Sequence, residues 1–479
     1  MAAEGIEMGH IVYWLRLGFF VLVLFNVYSP GSALADDLFD ELHDGDDELK
    51  ITEASKSAKP EATSWWGKWS LNLDGSLNYK YDYNSFKKVE LSPQQDDGIS
   101  GVSRYKVSAK VHWTARPTRW LKLHGESWFL GLLESDFYKS DKSGSTSFTE
   151  LEVGEAYLLL SPLDSWDLTL GRQVVAWGEG TLLRVNDFWN PVDQREPGTL
   201  SLAEAKLPLS MVKSDFYAGP IQISLIAVAE FRGSKNPRLG SDYHPGVETY
   251  SEENMPAVSS KTAELGGKFS GTIADCRLSL YKARYYDRHL HANPKNPIIL
   301  DSGISVPAGF VFSRAPVEHQ GIGFSYQYQR YTLGAEAALI KGLKSFSNST
   351  INERFDTLFS LEYNNGGDLF IGIEGVHRQL KDHLELAEDL RDLHAKDSEL
   401  AFLVRKSLQR ESLEFYLAAI FLGAGAVDGS LQTLRVDYGL NDNATFYAGL
   451  INYLKGERSP LAIHIDRNDQ VFTGIKFYF

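Results

Sequence analysis

The chain has 479 residues, 43% of them hydrophobic and 23% charged, and a formal net charge of −15 at pH 7. This acidic balance, with no basic block or stripe anywhere, excludes a nucleic-acid-binding surface. A single cysteine, Cys276, excludes an internal disulfide, so stability has to come from packing and backbone pairing; no metal or other cofactor is expected.

Residues 1–35 read as a signal peptide. An apolar run from Ile11 to Val27, broken by Arg16 and Asn26, is followed by Ser29-Pro30 and the small-residue pattern Ala33-Leu34-Ala35, which predicts cleavage after Ala35. A membrane-anchoring helix is the competing reading, but Arg16 interrupts the run and a span wants about 20 apolar residues. Cleavage removes Glu4, Glu7 and Arg16 and leaves an acidic chain. Residues 36–64, from Asp36 through Glu48 to Lys59-Pro60-Glu61, hold too little apolar content to order themselves and read as a disordered periplasmic tail.

From Trp65 the pattern changes. Trp69, Leu71, Leu73, Leu77, Tyr79 and Tyr81 alternate with Ser70, Asn72, Asp74, Ser76, Asn78 and Lys80, a period of two sustained beyond an ordinary soluble strand. The next segment repeats it, with Tyr105, Val107, Ala109, Val111 and Trp113 set against Arg104, Lys106, Ser108, Lys110 and His112. Such strands, with aromatic ends, suit a bilayer, where a spanning strand needs about 9 to 11 residues. Short connections are predicted near 116–118, 162–164, 219–220, 273–275, 329–330, 364–367, 410–411 and 441–443. Long polar ones fall between them, near 85–102, 135–146, 178–208, 232–262, 287–317, 343–354, 379–397 and 456–469. Short periplasmic turns alternating with long outer loops are the habit of outer-membrane barrels. The expected fold is therefore all-β: one antiparallel up-and-down transmembrane β-barrel over residues 65–479 in a Gram-negative outer membrane. It has about 18 strands, with sixteen as the alternative because alternation is imperfect over 209–231 and 263–286.

The densest candidate for function is Gly171-Arg172-Gln173-Val174-Val175-Ala176-Trp177-Gly178-Glu179-Gly180, followed by Arg184 and Asn186-Asp187-Phe188-Trp189-Asn190-Pro191-Val192-Asp193. Over residues 157–217 the chain resembles an uncharacterised family of proteobacterial porin-like outer-membrane barrels, a domain-of-unknown-function family marked by GRQ-x-V-x-WGE, a downstream N-P-x-D and then a Leu-Pro, here Leu207-Pro208. The resemblance implies an outer-membrane channel and members associated with export or uptake of hydrophobic molecules. On this reading Arg172, Gln173, Trp177, Glu179, Arg184, Asp187 and Asp193 hold a loop over 178–208, inside the lumen or outside it, and that loop either narrows the channel or braces its wall. Lys106, Lys110, Lys122, Lys213, Arg435 and Lys476, with Asp74, Glu126, Asp215, Glu374 and Asp437, are expected on the lumen face. Both signs are present, so no ion preference follows.

Further along, Leu380, Leu384, Ala387, Leu390 and Leu393 recur at helical spacing and predict a short amphipathic helix in a connection. At the end of the chain, Val471, Thr473, Ile475, Phe477 and Phe479 share one face. This resembles the C-terminal signal that the barrel-assembly machinery reads. Outer-membrane lipid and periplasmic transport components are the other expected partners. No catalytic constellation is apparent: His112 and His124 read as polar lumen contacts, and His289-Leu290-His291 lacks the partners of a metal site. Residues 36–64 are too short and polar for the folded plug of a TonB-dependent receptor. A passive channel is the leading expectation, and a plugged binding barrel that serves an export system is the alternative.

Overall fold

The computed structural model describes residues 68–80, 101–135, 145–199, 202–237, 243, 253–254, 262–288, 291–294, 297–299, 305–307, 310–344, 351–381, 395–409, 412–456 and 468–479. The predicted signal peptide and tail, 1–64, lie outside the described residues. Alternation becomes a strand wherever both faces find a use: apolar side chains turn outward, and polar or small ones turn in except where the inner face is covered and is apolar too. The wall strands are β1 (Lys68–Lys80), β2 (Gly101–Thr118), β3 (Leu121–Ser135), β4 (Ser145–Leu163), β5 (Trp166–Gln173), β6 (Leu209–Ala218), β7 (Ile221–Val228), β8 (Glu264–Ile273) and β9 (Cys276–Tyr286). They continue as β10 (Pro316–Tyr328), β11 (Tyr331–Lys344), β12 (Ile351–Asn364), β13 (Leu369–Lys381), β14 (Lys396–Leu408), β15 (Leu413–Leu422), β16 (Gly429–Asn441), β17 (Ala444–Lys455) and β18 (Gln470–Tyr478).

These strands form one 18-stranded sheet in which each pairs antiparallel with its sequence neighbour. The sheet closes where β1 meets β18, in a register running from Asn72 opposite Tyr478 to Lys80 opposite Gln470. Leu71 and Phe479 add a reciprocal pair of backbone hydrogen bonds at 3.0 Å, so the terminal residue itself completes the seam. Closure leaves the sheet without an edge. Val471, Phe477 and Phe479 are exposed on the outer face, as the sequence pattern predicts.

Eight connections, at 119–120, 164–165, 219–220, 274–275, 329–330, 365–368, 409–412 and 442–443, are two to four residues long and lie at one end of the barrel. Seven overlap the short turns the sequence predicts; at the first, Arg116-Pro117-Thr118 still belongs to β2 and the turn follows at 119–120. The opposite end carries the longer connections, and one of these, 423–428, is not among those predicted. It turns on glycines rather than on a polar stretch, with φ of +74° at Gly423 and +71° at Gly425, conformations that cost glycine nothing. The predicted helix is not seen at its first residue: Leu380 belongs to β13 and donates its N–H to Ala395 O at 2.9 Å. Leu384, Ala387, Leu390 and Leu393 lie outside the described residues. The segments 209–231 and 263–286, where alternation is imperfect, supply four strands, β6 to β9.

The outer face carries Val107, Phe129, Leu225, Phe269, Leu333 and Phe359, all exposed. Aromatic residues gather towards the short-turn end, where Trp166 stacks on Phe216 at 6.0 Å and Tyr331 meets Tyr363 at 5.1 Å. One sector of the wall is low. Strands β5 to β8 have 8 to 10 residues, whereas β4 beside them has 19. The connections 174–208 and 229–263 therefore leave the wall at a height where β4 still continues.

The closure predicts a cross-link. Asp74 and Lys476 face each other across the seam. They lie one step from the hydrogen-bonded pair Leu73 and Phe477, at a position where opposing side chains approach most closely. With Cys276→Ser as background, Asp74→Cys combined with Lys476→Cys is expected to form a disulfide, seen as altered mobility of the unfolded chain on non-reducing electrophoresis. Neither single variant should form it.

Candidate functional site: the inward loop

The loop from Val174 to Pro208, between β5 and β6, turns into the barrel. Its sequence mixes large apolar residues with glycine and asparagine, and the apolar set becomes a core. Val175, Trp177, Leu183, Val185, Phe188 and Trp189 are buried in one cluster with inward side chains of the wall, among them Met211, Ile226, Tyr281, Tyr285, Val317 and Leu358. Trp177 meets Trp189 edge to face at 5.5 Å and Phe188 at 5.9 Å, and Phe188 stacks on Tyr285 at 4.7 Å. Trp189 has no exposed surface. It reaches that position because Gly266 on β8 has no side chain: a Cβ there would lie 2.6 Å from the indole. Burial of such rings is worth several kcal/mol in all, at about 25 cal/mol per Å² of apolar surface.

A loop inside a barrel has no sheet to satisfy its backbone, and here side chains do so. Glu374 of β13 accepts three amides, with Oε1 taking Thr181 N–H at 2.5 Å and Oε2 taking Leu182 and Leu183 N–H at 3.0 and 2.7 Å. Glu336 of β11 accepts Glu179 N–H on one oxygen and Asn186 N–H at 2.8 Å on the other. Asn190, itself fully buried, accepts Val175 N–H at 2.8 Å and donates to Gln173 O and Leu207 O at 3.2 and 2.9 Å, tying the two feet of the loop together. Asn186 Oδ1 stands 2.9 Å from His319 Nε2 on β10. Beyond the core the loop crosses to the far wall. Tyr453 OH donates to Pro197 O at 2.5 Å, Thr433 Oγ1 to Gly198 O at 3.1 Å, and Glu196 pairs with Arg104 at 2.9 Å. Tyr243, from the next connection, joins the same point, its hydroxyl 3.0 Å from that of Tyr453.

The residues predicted as one charged network fall into three groups. Glu179 pairs with Arg277 at 3.3 Å. Asp187 pairs with Lys206 at 2.7 Å and with Arg184, which also donates to the carbonyls of Asp187 and Asn190 at 2.6 and 3.0 Å. Arg172 and Asp193 belong to a third group, joined through Glu152 and Glu150, which nothing in the sequence pattern singles out. Arg172, on the outer face of β5 with Trp166, lies 3.5 Å from Glu152 and 3.7 Å from Glu230. Glu152 also binds Arg232 and Lys235, Lys235 reaches Glu150 at 2.7 Å, and Glu150 pairs with Arg195 at 2.8 Å, which chelates Asp193. This ladder stands where β4 rises above the end of β5. Burial holds the Lys235 ammonium below its ordinary value despite the bond to Glu150. For Arg195, burial pulls the same way, but the bonds to Asp193 and Glu150 outweigh it and raise the guanidinium. Trp177 serves in the aromatic core, and Gln173 Nε2 donates to Met211 O at 3.4 Å.

Away from the loop, lumen charges pair on the inner face as the alternation predicts: Lys110 with Glu126 of the next strand at 3.2 Å, and two residues along one strand Lys213 with Asp215 at 3.2 Å and Arg435 with Asp437 at 2.5 Å. Asp74 accepts from Tyr447 OH at 2.7 Å. His291 is buried with Nε2 2.9 Å from Ser313 Oγ, while His289 and Leu290 lie outside the described residues. The sequence pattern puts Glu374 on the lumen face but does not single out Glu336. A signal for their role was present: Ala335 to Ile340 is apolar on both faces except at Glu336, and a wall strand needs an apolar inner face only where something covers it.

The profile of a protein family described as "Protein of unknown function (DUF1302)" matches residues 43–355, more than half of the chain. The chain belongs to this family. No curated protein matches it. Among solved structures, OccAB4 of Acinetobacter baumannii overlaps with 8% identity and a TM-score of 0.46, covering 88% of this chain and 100% of its own. The outer membrane channel DcaP of the same organism overlaps with 10% identity and a TM-score of 0.41, covering 87% and 99%. OmpT, an outer membrane protein of Vibrio cholerae, has 11% identity and a TM-score of 0.38 over 88% and 100%. At such scores no property passes from these proteins to this chain.

Glu374→Ala removes the acceptor of three loop amides. Bonds to a charged group are worth about 1.5–3 kcal/mol each, so a loss of about 3 kcal/mol or more in unfolding free energy is expected. Limited proteolysis should then cut within 174–208 while the heat-modifiable band of the folded barrel persists.

Proposed function

We propose that this member of the family is an outer-membrane porin-like channel in which the loop 174–208 sets the constriction. The observation that carries the reading is the crossing itself. The loop fills one side of the lumen with an aromatic core and ends on the opposite wall at Thr433 and Tyr453, so a solute passing along the barrel has to pass this loop. The remaining wall is polar and of both signs, with Lys110, Glu126, Arg435 and Asp437 in pairs. An aromatic surface facing a charged one suits small amphipathic or hydrophobic molecules, the cargo that the family resemblance implies. The short-turn end faces the periplasm in this reading, the exposed apolar band contacts outer-membrane lipid, Phe479 and its neighbours are read by the barrel-assembly machinery, and the chemistry is passage rather than catalysis. Periplasmic transport components are the partners this function would need.

One feature favours a second reading. Trp189, Asn186 and Asn190 have no exposed surface, as expected for a loop that seals the lumen and makes the barrel a binding partner of an export system.

Planar-bilayer recording of the refolded chain separates the two. A channel gives stable openings, and Glu179→Ala, which removes the carboxylate 3.3 Å from Arg277, shifts its ion preference towards anions. Arg172→Ala, at the foot of the loop, changes the size of the openings. Silence from the wild type and both variants, in a barrel shown folded by circular dichroism, supports the sealed binding barrel.

A further inference from the structure

Strands β2 and β3 bring together a side-chain set that the inward loop does not use. His112 lies directly opposite Glu126, and Thr114 opposite His124. All four side chains project into the lumen, a few residues above the turn at 119–120. A ring nitrogen of each histidine and a carboxylate oxygen of Glu126 lie within 4.8 Å of one another. His112 Nδ1 stands 3.3 Å from Glu126 Oε2. We propose that His112, His124 and Glu126 form a binding site for a divalent transition metal of the zinc class.

The donor chemistry selects the class. Two imidazoles and one carboxylate suit borderline cations such as Zn²⁺, bound at about 2.0–2.2 Å, and leave a fourth tetrahedral position for water. Calcium and magnesium prefer all-oxygen sets. Donors around such an ion stand roughly 3.3–3.5 Å apart, as tetrahedral geometry at those bond lengths dictates, so from the 4.8 Å limit the groups draw in by up to about 1.5 Å. Side-chain rotation supplies that.

The surroundings hold the donors in place. Thr114 Oγ1 is 3.0 Å from His124 Nδ1, and the Tyr157 ring lies 4.9 Å from the same imidazole. A hydroxyl partner of this kind fixes the orientation of a ligating histidine. The seat for Glu126 is made by the neighbouring strand: the β3–β4 register slips between Gly125 and Ser127, and Gly154 on β4 has no side chain where the carboxylate lies. A Cβ at 154 would stand 2.5 Å from Glu126 Oε1 and 3.0 Å from Cδ. Side-chain exposures of 18% for His112 and 14% for Glu126 leave the site open to lumen water. One group competes. Lys110 Nζ sits 3.2 Å from Glu126 Oε2, so an arriving cation displaces the ammonium from that oxygen. Lys122, over the Tyr157 ring at 5.8 Å, adds a second positive charge nearby. Both lower the affinity without removing a ligand.

The test is titration of tag-free, EDTA-treated full-length barrel in detergent with Zn²⁺ by calorimetry, and with Co²⁺ by visible absorption. One equivalent of Zn²⁺ is expected, with a Co²⁺ spectrum typical of nitrogen and oxygen ligands. Affinity should fall at least about tenfold in His124→Ala and in Glu126→Gln, the scale on which even outer-shell changes act. Gly154→Ala keeps every ligand but crowds the carboxylate, so it should weaken binding. Lys110→Met removes the competitor and should tighten it. Failure of Zn²⁺ to bind, or equal affinity in the wild type, His124→Ala and Lys110→Met, overturns the assignment; equal affinity would place the ion elsewhere, as at His289 and His291. Lys110→Met retains all three ligands, so the test stands even where a ligand variant does not refold.

Discussion

Backbone amides that leave a sheet inside a barrel have to find acceptors there, and the inward loop is shaped by that requirement. The wall answers it with carboxylates: Glu374 takes three consecutive amides and Glu336 takes two more. Each polar backbone group buried without a partner costs about 1–3 kcal/mol, which offsets what the apolar core beside it returns. The aromatic cluster around Trp189 therefore depends on these two acids. The same requirement explains Asn190, whose amide binds both feet of the loop at once and replaces the ladder bonds that β5 and β6 no longer make above Gln173 and Leu209.

The low sector of the wall follows from the same economy of hydrogen bonds. Where β5 to β8 stop, the upper part of β4 has lost its partner on one side, and charged side chains gather there. Glu150 and Glu152 project from the strand that continues, and Arg195, Arg232 and Lys235 come from the two connections that have left the wall. Acids and bases balance in this ladder, so it closes the step without leaving a net charge in a poorly hydrated place.

Much of the fold was legible from residue order alone, because in a barrel one rule governs every strand. Alternation such as Lys106, Lys110 and His112 against Tyr105, Val107 and Val111 fixes the faces, and the eight short turns fix the strand count. What escaped was local. The connection at 423–428 turns on glycines and lacks the polar stretch that marked the others. The predicted helix loses its first residue because Leu380 completes a ladder with Ala395. The candidate site was located by its crowding of Trp177, Glu179, Arg184, Asp187 and Asp193, but its wiring was not. An inward acid on a strand looks the same whether it faces water or catches a loop, and partners such as Glu152 and Arg172 are joined only by the height at which one strand ends beside another.

The loop's most distant contacts also set an order of events. Gly198 and Pro197 bind Thr433 and Tyr453, residues 235 and 256 positions later in the chain, and Glu374 follows the amides it holds by about 190. Contacts this far apart form late, since long-range closure has to precede their reward. The segment that fills the lumen is thus ordered only once β13, β16 and β17 are in place. Before those strands are in place the loop's aromatic residues lack part of the wall that buries them, and during assembly they are the surface that a chaperone would have to cover.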